Sequence, residues 1–384
     1  MLIGIDASRA EAKLKTGVER YSFEIIRAMR DTLPLNAEVV LYSYEPLPTE
    51  LGPWSDQWRN KVLNWPPKYG WTALRLSWEM WRHAPDVLFV PGYRLPFFAP
   101  KKSVVTIHDA SFLEYPELYA PDDRARQIKT LLDTCKRASA VIVPSEYTKT
   151  QLAACKPANI AVIPLGVRID EPLTHPTIPY TKGGDVSNEA SLPPLKVRGG
   201  RRGYDSVKNP YFIFVGRVDK KKNLEVAIDG FAKFLTTHPG YKFIIVGRPS
   251  YGFEEIKAHA EASGAGESIE FKGPLPDKEM YTLLRNATAL LHPCPVEGFG
   301  LPVIEAMSMS VPVITADHGA AYEAAADAAL QVRPTDPEKW AQAMDQITFD
   351  IFRTPLIEKG LTRSKQFTWP RAAEATWNVL TNLL

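Results

Sequence analysis

Cysteine is scarce in this chain of 384 residues, which contains only Cys135, Cys155 and Cys294. Three cysteines so widely spaced provide neither a disulfide framework nor a metal cluster, and their scarcity fits a reducing compartment. Long apolar runs are also lacking. The first apolar run ends at Asp6, and no later segment approaches the roughly 18 apolar residues of a membrane span. These absences predict a cytoplasmic protein without a membrane-spanning helix.

A large charge of one sign is missing as well. The 46 lysine and arginine residues nearly balance the 44 aspartate and glutamate residues, which leaves a net charge of +2. Composition therefore predicts no general attraction to nucleic acid or to anionic membranes. One Arg-Gly-Gly tract at 198–203 resembles an RNA-binding motif, but a single copy in a nearly neutral chain does not support a nucleic-acid partner.

What the chain does contain is a regular alternation of short β-branched runs with helical patterns. Because parallel strands need helical crossovers, this alternation predicts an α/β fold of two doubly wound, Rossmann-like parallel-sheet domains. The predicted strands are 2–7, 39–44, 87–91, 103–108 and 140–144, then 211–215, 242–246, 269–272, 289–292 and 311–315. The predicted helices of the first half are 18–30, 72–82 and 124–136. Ligands of such sheets bind outside the carboxyl ends of the strands, so the loops there are the candidate site.

Residues 170–209 separate the two sets of elements. They show no periodicity and are rich in proline, glycine and serine, which predicts a linker with a disordered insertion. The predicted organisation is an N-terminal domain at 1–169, the linker at 170–209, a C-terminal domain at 210–367 and a terminal helix at 368–384. In that last segment Ala373, Trp377 and Leu380 recur at helical spacing.

Two carboxylates, Glu297 and Glu305, lie eight positions apart around the sequence Gly-Phe-Gly-Leu-Pro. The apolar run before them predicts a buried strand, so Glu297 falls in the loop after it. Pro302 allows a helix to begin near Leu301, which places Glu305 in the first turns. Gly298 and Gly300 let the backbone approach a ligand, and the free N–H groups at the helix start favour a diphosphate. The alternative is a capped turn with two solvated glutamates.

A pair of cations follows the first strand of the second half. Gly216 and Arg217 come directly after the strand, and Lys222 lies five residues beyond Arg217. Arginine offers a fork of donors to phosphate oxygens and lysine a compact charge, so the pair is suited to a departing diphosphate. Alternatively, Arg217 pairs with Asp219 and the lysines are solvated. We assign Lys220 and Lys221 to that solvated role.

His108 follows the apolar run 104–107, which puts it at the carboxyl end of a strand and within reach of the predicted cleft between the domains. The alternative is a structural histidine held by a neighbour such as Asp109. No Asp-x-Asp sequence occurs, and no spacing of histidine, cysteine and carboxylates suggests a metal site. We therefore predict neither metal nor cofactor. The protein's own cations and helix termini would then neutralise a diphosphate.

These three groups of residues, in this order, resemble the retaining glycosyltransferases of family 4, the group 1 enzymes of GT-B fold. The resemblance covers nearly the whole chain apart from 170–209. It implies that Arg217 and Lys222 bind donor diphosphate, that Glu297 contacts the donor sugar and that Glu305 contacts the ribose. It also implies that His108 lies beside the reacting sugar. The backbone of the glycine loop, which comprises Gly298, Phe299, Gly300 and Leu301, would bind phosphate and sugar, with Gly216 beside it. In GT-B enzymes the last helix crosses back onto the N-terminal domain, and we expect the same of residues 368–384.

The chain departs from the family in the loop after the first strand. Adjacent glycines are usual there, but only Gly17 is present, so we regard Gly17 and Asp109 as candidates for acceptor or phosphate contact. Six of the nine tryptophans lie between Trp54 and Trp81. They are suited to stack on sugar or to lie at a membrane interface, although core packing is the preferred interpretation for Trp78 and Trp81.

The resemblance implies transfer of a sugar from a nucleoside diphosphate donor to an acceptor hydroxyl with retained anomeric configuration. The N-terminal motifs are most similar to those of bacterial mannosyltransferases of surface polysaccharide assembly. GDP-mannose is therefore the first donor considered, and the expected acceptor is a glycan or lipid-linked glycan, with peripheral contact at the inner face of the membrane. The alternatives are a GT-B-fold nucleotide-sugar epimerase and a non-catalytic nucleotide-sugar-binding protein.

Overall fold

A computed structural model describes residues 1–12, 17–34, 36–65, 70–167 and 210–384. The predicted linker and its Arg-Gly-Gly tract lie outside the described residues. Within them, the chain forms two all-parallel sheets with α-helices between most successive strands, so the predicted α/β fold of two Rossmann-like domains is confirmed.

The first sheet has seven strands among the described residues, in the order β3-β2-β1-β4-β5-β6-β7. Its central strands β1, β4, β5 and β6 are almost wholly buried, as expected when helices cover both faces. The strands are β1 Leu2–Asp6, β2 Glu38–Ser43, β3 Trp58–Val62, β4 Val87–Val90, β5 Ser103–Thr106, β6 Ala140–Val143 and β7 Ile160–Val162.

The second sheet has six strands in the order β10-β9-β8-β11-β12-β13. The order reverses between β8 and β11, and ligands of such sheets bind at the carboxyl ends of the strands on either side of this reversal. The strands in the described C-terminal part are β8 Tyr211–Val215, β9 Lys242–Val246, β10 Ile269–Gly273, β11 Ala289–His292, β12 Val313–Ala316 and β13 Leu330–Val332.

The α-helices of the described residues fall between these strands and after the last one. None of them is both long and apolar enough to cross a bilayer. They are α1 Gly17–Asp31, α2 Arg75–Arg82, α3 Pro121–Arg137, α4 Glu146–Gln151, α5 Leu224–Leu235, α6 Phe253–Ala262, α7 Asp277–Arg285, α8 Leu301–Ser308, α9 Ala320–Ala325, α10 Pro337–Ile347, α11 Asp350–Ser364 and α12 Trp369–Thr381.

The terminal helix α12 packs on α1 of the first half of the chain. Trp377 is buried, its indole N–H donates to the carbonyl of Met29 at 3.2 Å, and its ring meets Trp58 edge-on at 6.3 Å. Just before the helix, the N–H of Val167 donates to the carbonyl of Phe367 at 3.1 Å. The chain therefore returns from the second sheet to the first before it ends.

Candidate active site

The loop between β11 and α8 carries Glu297, leads into the helix that carries Glu305, and meets the first half of the chain. Gly300 has a φ of 89°, and a Cβ there would lie 2.8 Å from the Cβ of Ala321. This conformation and this close approach favour glycine. The helix α8 then begins at Leu301 with Pro302 in its first turn, as predicted.

Glu297 occupies the middle of this loop and is held between two basic side chains. Lys222 Nζ lies 2.8 Å from Glu297 Oε1, and His292 Nε2 lies 2.6 Å from Oε2. Burial raises the pKa of the Glu297 carboxyl, but Lys222 and His292 outweigh burial and hold the pKa well below its usual range. Burial lowers the pKa of Lys222, yet the acidic groups around it raise that pKa above its ordinary value. Both groups are therefore charged at neutral pH.

Three potential metal ligands meet at the same place. His292, Cys294 and Glu297 each bring one ligand-type atom within 4.8 Å of the others, the one such group in the part of the chain that is described. The three residues lie within six consecutive positions, but His292 is the last residue of an apolar strand and so resembles a core residue in the sequence. Lys222 already supplies a positive charge 2.8 Å from Glu297. A divalent cation bound here would be repelled by that ammonium and would have to displace it.

The segment after β8 presents its cations in two different ways. Arg217 Nε donates to Asp219 Oδ2 at 2.7 Å, and its side chain is 57% exposed, so the alternative Arg217–Asp219 pair does form. Lys220, Lys221 and Lys222 form a 3-10 turn that ends at Asn223, before α5. The expectation of a solvated Lys221 is wrong. Its side chain is buried and forms an ion pair with Asp109 of the first half of the chain.

Lys220 is half-buried and also not simply solvated. Its ammonium lies 5.2 Å from the centre of the Tyr251 ring and 3.6 Å from Glu255. Neighbouring glycines pack closely here, since a Cβ on Gly247 would lie 1.6 Å from the carbonyl oxygen of Gly216. The turn is thus a folded part of the site, and the run of lysines does not behave as a charged surface face.

His108 follows β5 and is held by the backbone. Its Nε2 lies 3.0 Å from the carbonyl oxygen of Pro91, and its ring meets Tyr21 edge-on at 4.6 Å. Burial lowers the pKa of His108 and outweighs the opposing effects of the Pro91 carbonyl and Asp109. Asp109 instead pairs with Lys221, so a backbone carbonyl holds the His108 ring and this neighbour does not. Burial raises the pKa of Asp109, but Lys221 outweighs burial and lowers it below its usual range.

Glu305, in α8, reaches across the cleft to α1. Its Oε1 accepts from Arg20 Nη1 at 2.8 Å and from the Tyr281 hydroxyl at 2.9 Å. Arg20 also pairs with Asp277 at 2.7 Å. Burial raises the pKa of Glu305 and Arg20 opposes that rise. Arg20 is absent from the predicted site, since its partner Glu305 lies 285 positions further along the chain.

The two halves touch directly at Gly298. A Cβ on Gly298 would lie 1.6 Å from the carbonyl oxygen of His108, and the carbonyl of Gly298 accepts from the hydroxyls of Ser145 at 2.7 Å and Thr148 at 3.0 Å. Beside this contact, the Glu323 carboxylate accepts the backbone N–H groups of residues 146 and 147, both at 2.9 Å. The cleft between the sheets is therefore closed around the predicted site.

The remaining predicted residues occupy distinct places. Phe299 is buried against Phe367 at 5.5 Å between ring centres, which leaves its backbone, not its ring, to face a ligand. Gly17 is the first residue of α1, one turn before Arg20. Gly216 and Leu301 lie at the end of β8 and the start of α8.

Two family models match the chain over most of its length. "Glycosyltransferase Family 4" matches residues 15–171, and "Glycosyl transferases group 1" matches residues 202–360. The chain belongs to the glycosyltransferase family that these two models describe. The two facing parallel-sheet domains of this glycosyltransferase form the GT-B fold.

Curated relatives extend along both halves of the glycosyltransferase. It is 24% identical over 309 residues to an O-antigen chain mannosyltransferase B of Escherichia coli, covering 79% of this chain and 76% of the relative. It is 24% identical over 348 residues to the O-antigen chain mannosyltransferase RfbU of Salmonella typhimurium, covering 87% and 88%. In structure it is similar to Anabaena HepE in complex with UDP and glucose, with a TM-score of 0.71, 18% identity and 99% of each chain covered.

The tryptophans of the glycosyltransferase that are buried and those that are exposed differ from the expectation. Trp58 and Trp71 are buried, whereas Trp78 and Trp81 are 51% and 64% exposed. The preference for core packing of Trp78 and Trp81 is therefore wrong. In α2 the buried positions are Leu76, Ser77, Glu79 and Met80, and the two tryptophans lie on the opposite face.

Proposed function

We propose that this glycosyltransferase transfers a sugar from a nucleoside diphosphate donor to an acceptor hydroxyl with retention of the anomeric configuration. The observation that carries the proposal is the buried ion pair of Lys222 and Glu297 beside the start of α8. The pair lies at the carboxyl ends of β8 and β11, where the sheet order reverses. A cation beside a carboxylate is suited to bind a phosphate group and a sugar hydroxyl at the same time. The cation pairs with the phosphate oxygens, and the carboxylate accepts from the hydroxyl.

The diphosphate would bind at the cationic side of the site. Lys222 supplies a buried positive charge, and the half-exposed Arg217 can leave Asp219 for a phosphate oxygen. The first N–H groups of α8 favour an anion as well. Because Lys222 acts where water is largely excluded, it would stabilise a leaving phosphate by several kcal/mol more than a lysine in solvent. We therefore propose transfer without a metal ion.

The carboxylates would hold hydroxyl groups. Glu297 is ionised and acts only as an acceptor, which suits a clamp on the donor sugar. Glu305 now accepts from Arg20 and Tyr281, and a ribose hydroxyl would join or replace those donors. His108, neutral at neutral pH, faces the glycine loop from the other side of the cleft.

Retention follows from attack on the same face as departure. The bond between the anomeric carbon and the phosphate oxygen breaks, the acceptor oxygen bonds to that carbon from the same side, and the acceptor proton passes to the departing phosphate oxygen. No residue needs to serve as a covalent nucleophile. Closure of the cleft at Gly298 would exclude water, which would otherwise hydrolyse the donor.

We propose GDP-mannose as the donor, since two relatives along both halves of the chain are named mannosyltransferases. The structural relative HepE is described with UDP and glucose, so UDP-glucose is the comparison donor. The same mannosyltransferase names support polysaccharide biosynthesis and an acceptor that is a glycan or lipid-linked glycan. Peripheral contact at the inner face of the cytoplasmic membrane belongs to this proposal.

The test offers GDP-mannose or UDP-glucose together with acceptor mixtures and follows new glycosides by mass spectrometry. We expect a mannoside with retained configuration by NMR, undiminished by EDTA, and strongly reduced product with Arg217→Ala. Lys233→Ala, which removes a surface lysine paired with Glu338, is the matched control. An inverted linkage or full activity of Arg217→Ala would contradict the mechanism. Isomerised donor alone would indicate an epimerase, and binding without turnover would indicate a nucleotide-sugar-binding protein.

A further inference from the structure

An aromatic surface lies on the flank of the N-terminal half. It consists of Trp78, Trp81, Phe97 and Phe98, whose exposed fractions run from 51% to 64%. The rings of Trp78 and Trp81 lie 5.2 Å apart, and the guanidinium of Arg82 lies 5.8 Å from the centre of the Trp78 ring. Large aromatic side chains grouped on a surface mark an interaction site, whereas single exposed ones do not.

The loop that carries Phe97 and Phe98 is fixed to the helices on either side of it. The N–H of Phe97 donates to the Ser77 hydroxyl of α2 at 2.7 Å, and the carbonyl of Phe97 accepts from Arg137 of α3 at 3.0 Å. Leu95, in the same loop, is buried. The exposure of the two phenylalanines is therefore built into the packing of the loop.

The charged residues of the two segments that carry the aromatic surface are nearly all positive, and the neighbouring Arg137 of α3 is balanced by its partner Asp133. Segments 70–83 and 91–102 carry five lysine and arginine residues and one carboxylate, Glu79. Glu79 is buried and pairs with Lys61 and Arg75, so it adds no negative surface. The net charge of the whole chain is only +2, and it conceals this local concentration. Aromatic rings rimmed by arginine and lysine are the chemistry that binds the headgroup region of an anionic bilayer.

A single short loop connects the aromatic surface to the cleft. The loop leaves β4 at Pro91, and the carbonyl of Pro91 is the partner of His108. Only five residues separate Pro91 from Phe97. A molecule anchored at the aromatic surface would thus lie next to the side of the cleft that faces the donor loop.

We propose that the aromatic surface docks onto a bilayer that contains anionic lipid and so presents a lipid-carried acceptor to the His108 side of the cleft. Docking itself follows from the aromatic and basic side chains. The second part, delivery of the acceptor, rests on the proposed function.

The test is flotation of the full-length protein with phosphatidylcholine vesicles, with and without phosphatidylglycerol, at low and at high salt. We expect binding that needs phosphatidylglycerol and falls with salt, and a loss of vesicle affinity of about tenfold or more in the double variant Trp81→Ser/Phe98→Ser. Reversal of charge in Arg82→Glu/Arg94→Glu should weaken the same binding. Phe352→Ser, which removes a 46% exposed aromatic residue of α11, is the matched control and should bind as the wild type.

Equal vesicle binding by the wild type and the aromatic double variant, or no binding by the wild type at low salt, would overturn the proposal. A change of oligomeric state in the double variant would overturn it too, because the surface would then cover a second copy of the chain. Transfer to a water-soluble glycan is measured on the same samples. If vesicle binding is lost while that transfer persists, docking is supported independently, and if transfer is absent throughout, the proposed function fails while the vesicle result stands.

Discussion

Lys222 keeps its charge in a site that is almost closed to solvent, and Glu297 is its partner. A buried charge is costly without a counter-ion, and removing one member of such a pair typically costs about 3–5 kcal/mol of stability. A protein retains a buried cation at this cost in stability when the cation has a function that water or a surface lysine cannot provide. Neutralising a leaving diphosphate is such a function.

Replacing Lys222 and replacing Glu305 should have different kinetic effects. In the proposed mechanism Lys222→Ala removes charge that acts on the leaving phosphate, so we expect kcat to fall about 100-fold to 1,000-fold. Glu305→Ala removes a carboxylate that we propose binds the donor ribose, so we expect mainly a higher donor KM. Steady-state kinetics with both variants measures the contrast, and thermal denaturation checks that each is folded. The reverse pattern would overturn the assignment of roles.

The ring of His108 predicts a pH dependence of stability. Burial lowers its pKa, so the unfolded chain takes up a proton more readily than the folded protein. The stability owed to neutral His108 is complete above the ordinary value of about 6.5 and is lost as the pH falls through the lower folded value. Between about pH 7.5 and pH 5.5, Tm should fall further for the wild type than for His108→Gln. Equal slopes in thermal denaturation would show that burial does not shift this histidine.

Among the secondary-structure elements, the strands that the pattern misses are β3, β7 and β13, and each lies at an edge of its sheet. β3 is exposed over Arg59 to Val62, and β7 is only half-buried. An edge strand has a neighbour on one side and needs no continuous apolar run, so its sequence resembles a loop. The central strands, buried on both faces, were recognisable for the opposite reason.

The terminal helix α12 contributes to the N-terminal core and not only to the C-terminal half. Trp377→Ala should therefore destabilise the protein by about 3–5 kcal/mol, because it empties a buried site against Met29 and Trp58. Trp81→Ala, the same change at a 64% exposed position, should stay within about 0.5 kcal/mol. Denaturant unfolding followed by circular dichroism compares the two. Similar losses would show that α12 does not hold the first half together.

At the scale of the whole molecule, several contacts across the cleft join the two halves. Asp109 pairs with Lys221, Arg20 with Glu305, and Gly298 lies against His108. Every one of these contacts involves a predicted site residue. Closure of the cleft and assembly of the site are thus the same event, which is expected of an enzyme that must keep water from its donor.

Gly298→Ala should uncouple closure from donor binding. The added Cβ would lie 1.6 Å from the His108 carbonyl oxygen, so the halves cannot approach as they do now. We expect kcat to fall about tenfold or more, with a larger radius of gyration in X-ray scattering and little change in donor affinity. Gly92→Ala meets nothing within 4 Å and should match the wild type. An unchanged kcat in Gly298→Ala would show that this contact is not needed for turnover.

The central strands of both sheets, the loop that carries Glu297 and the start of α8 at Leu301 were determined by local sequence. They depend on apolar runs, glycine and proline, which act within a few residues. The partners of the charged groups were decided by tertiary structure. How distant segments meet determines that Lys221 pairs with Asp109 and that Arg20 pairs with Glu305. It also determines that Trp81 is exposed. Local patterns show which side chains are charged or apolar, but burial and counter-ions arise only when the two halves close on each other.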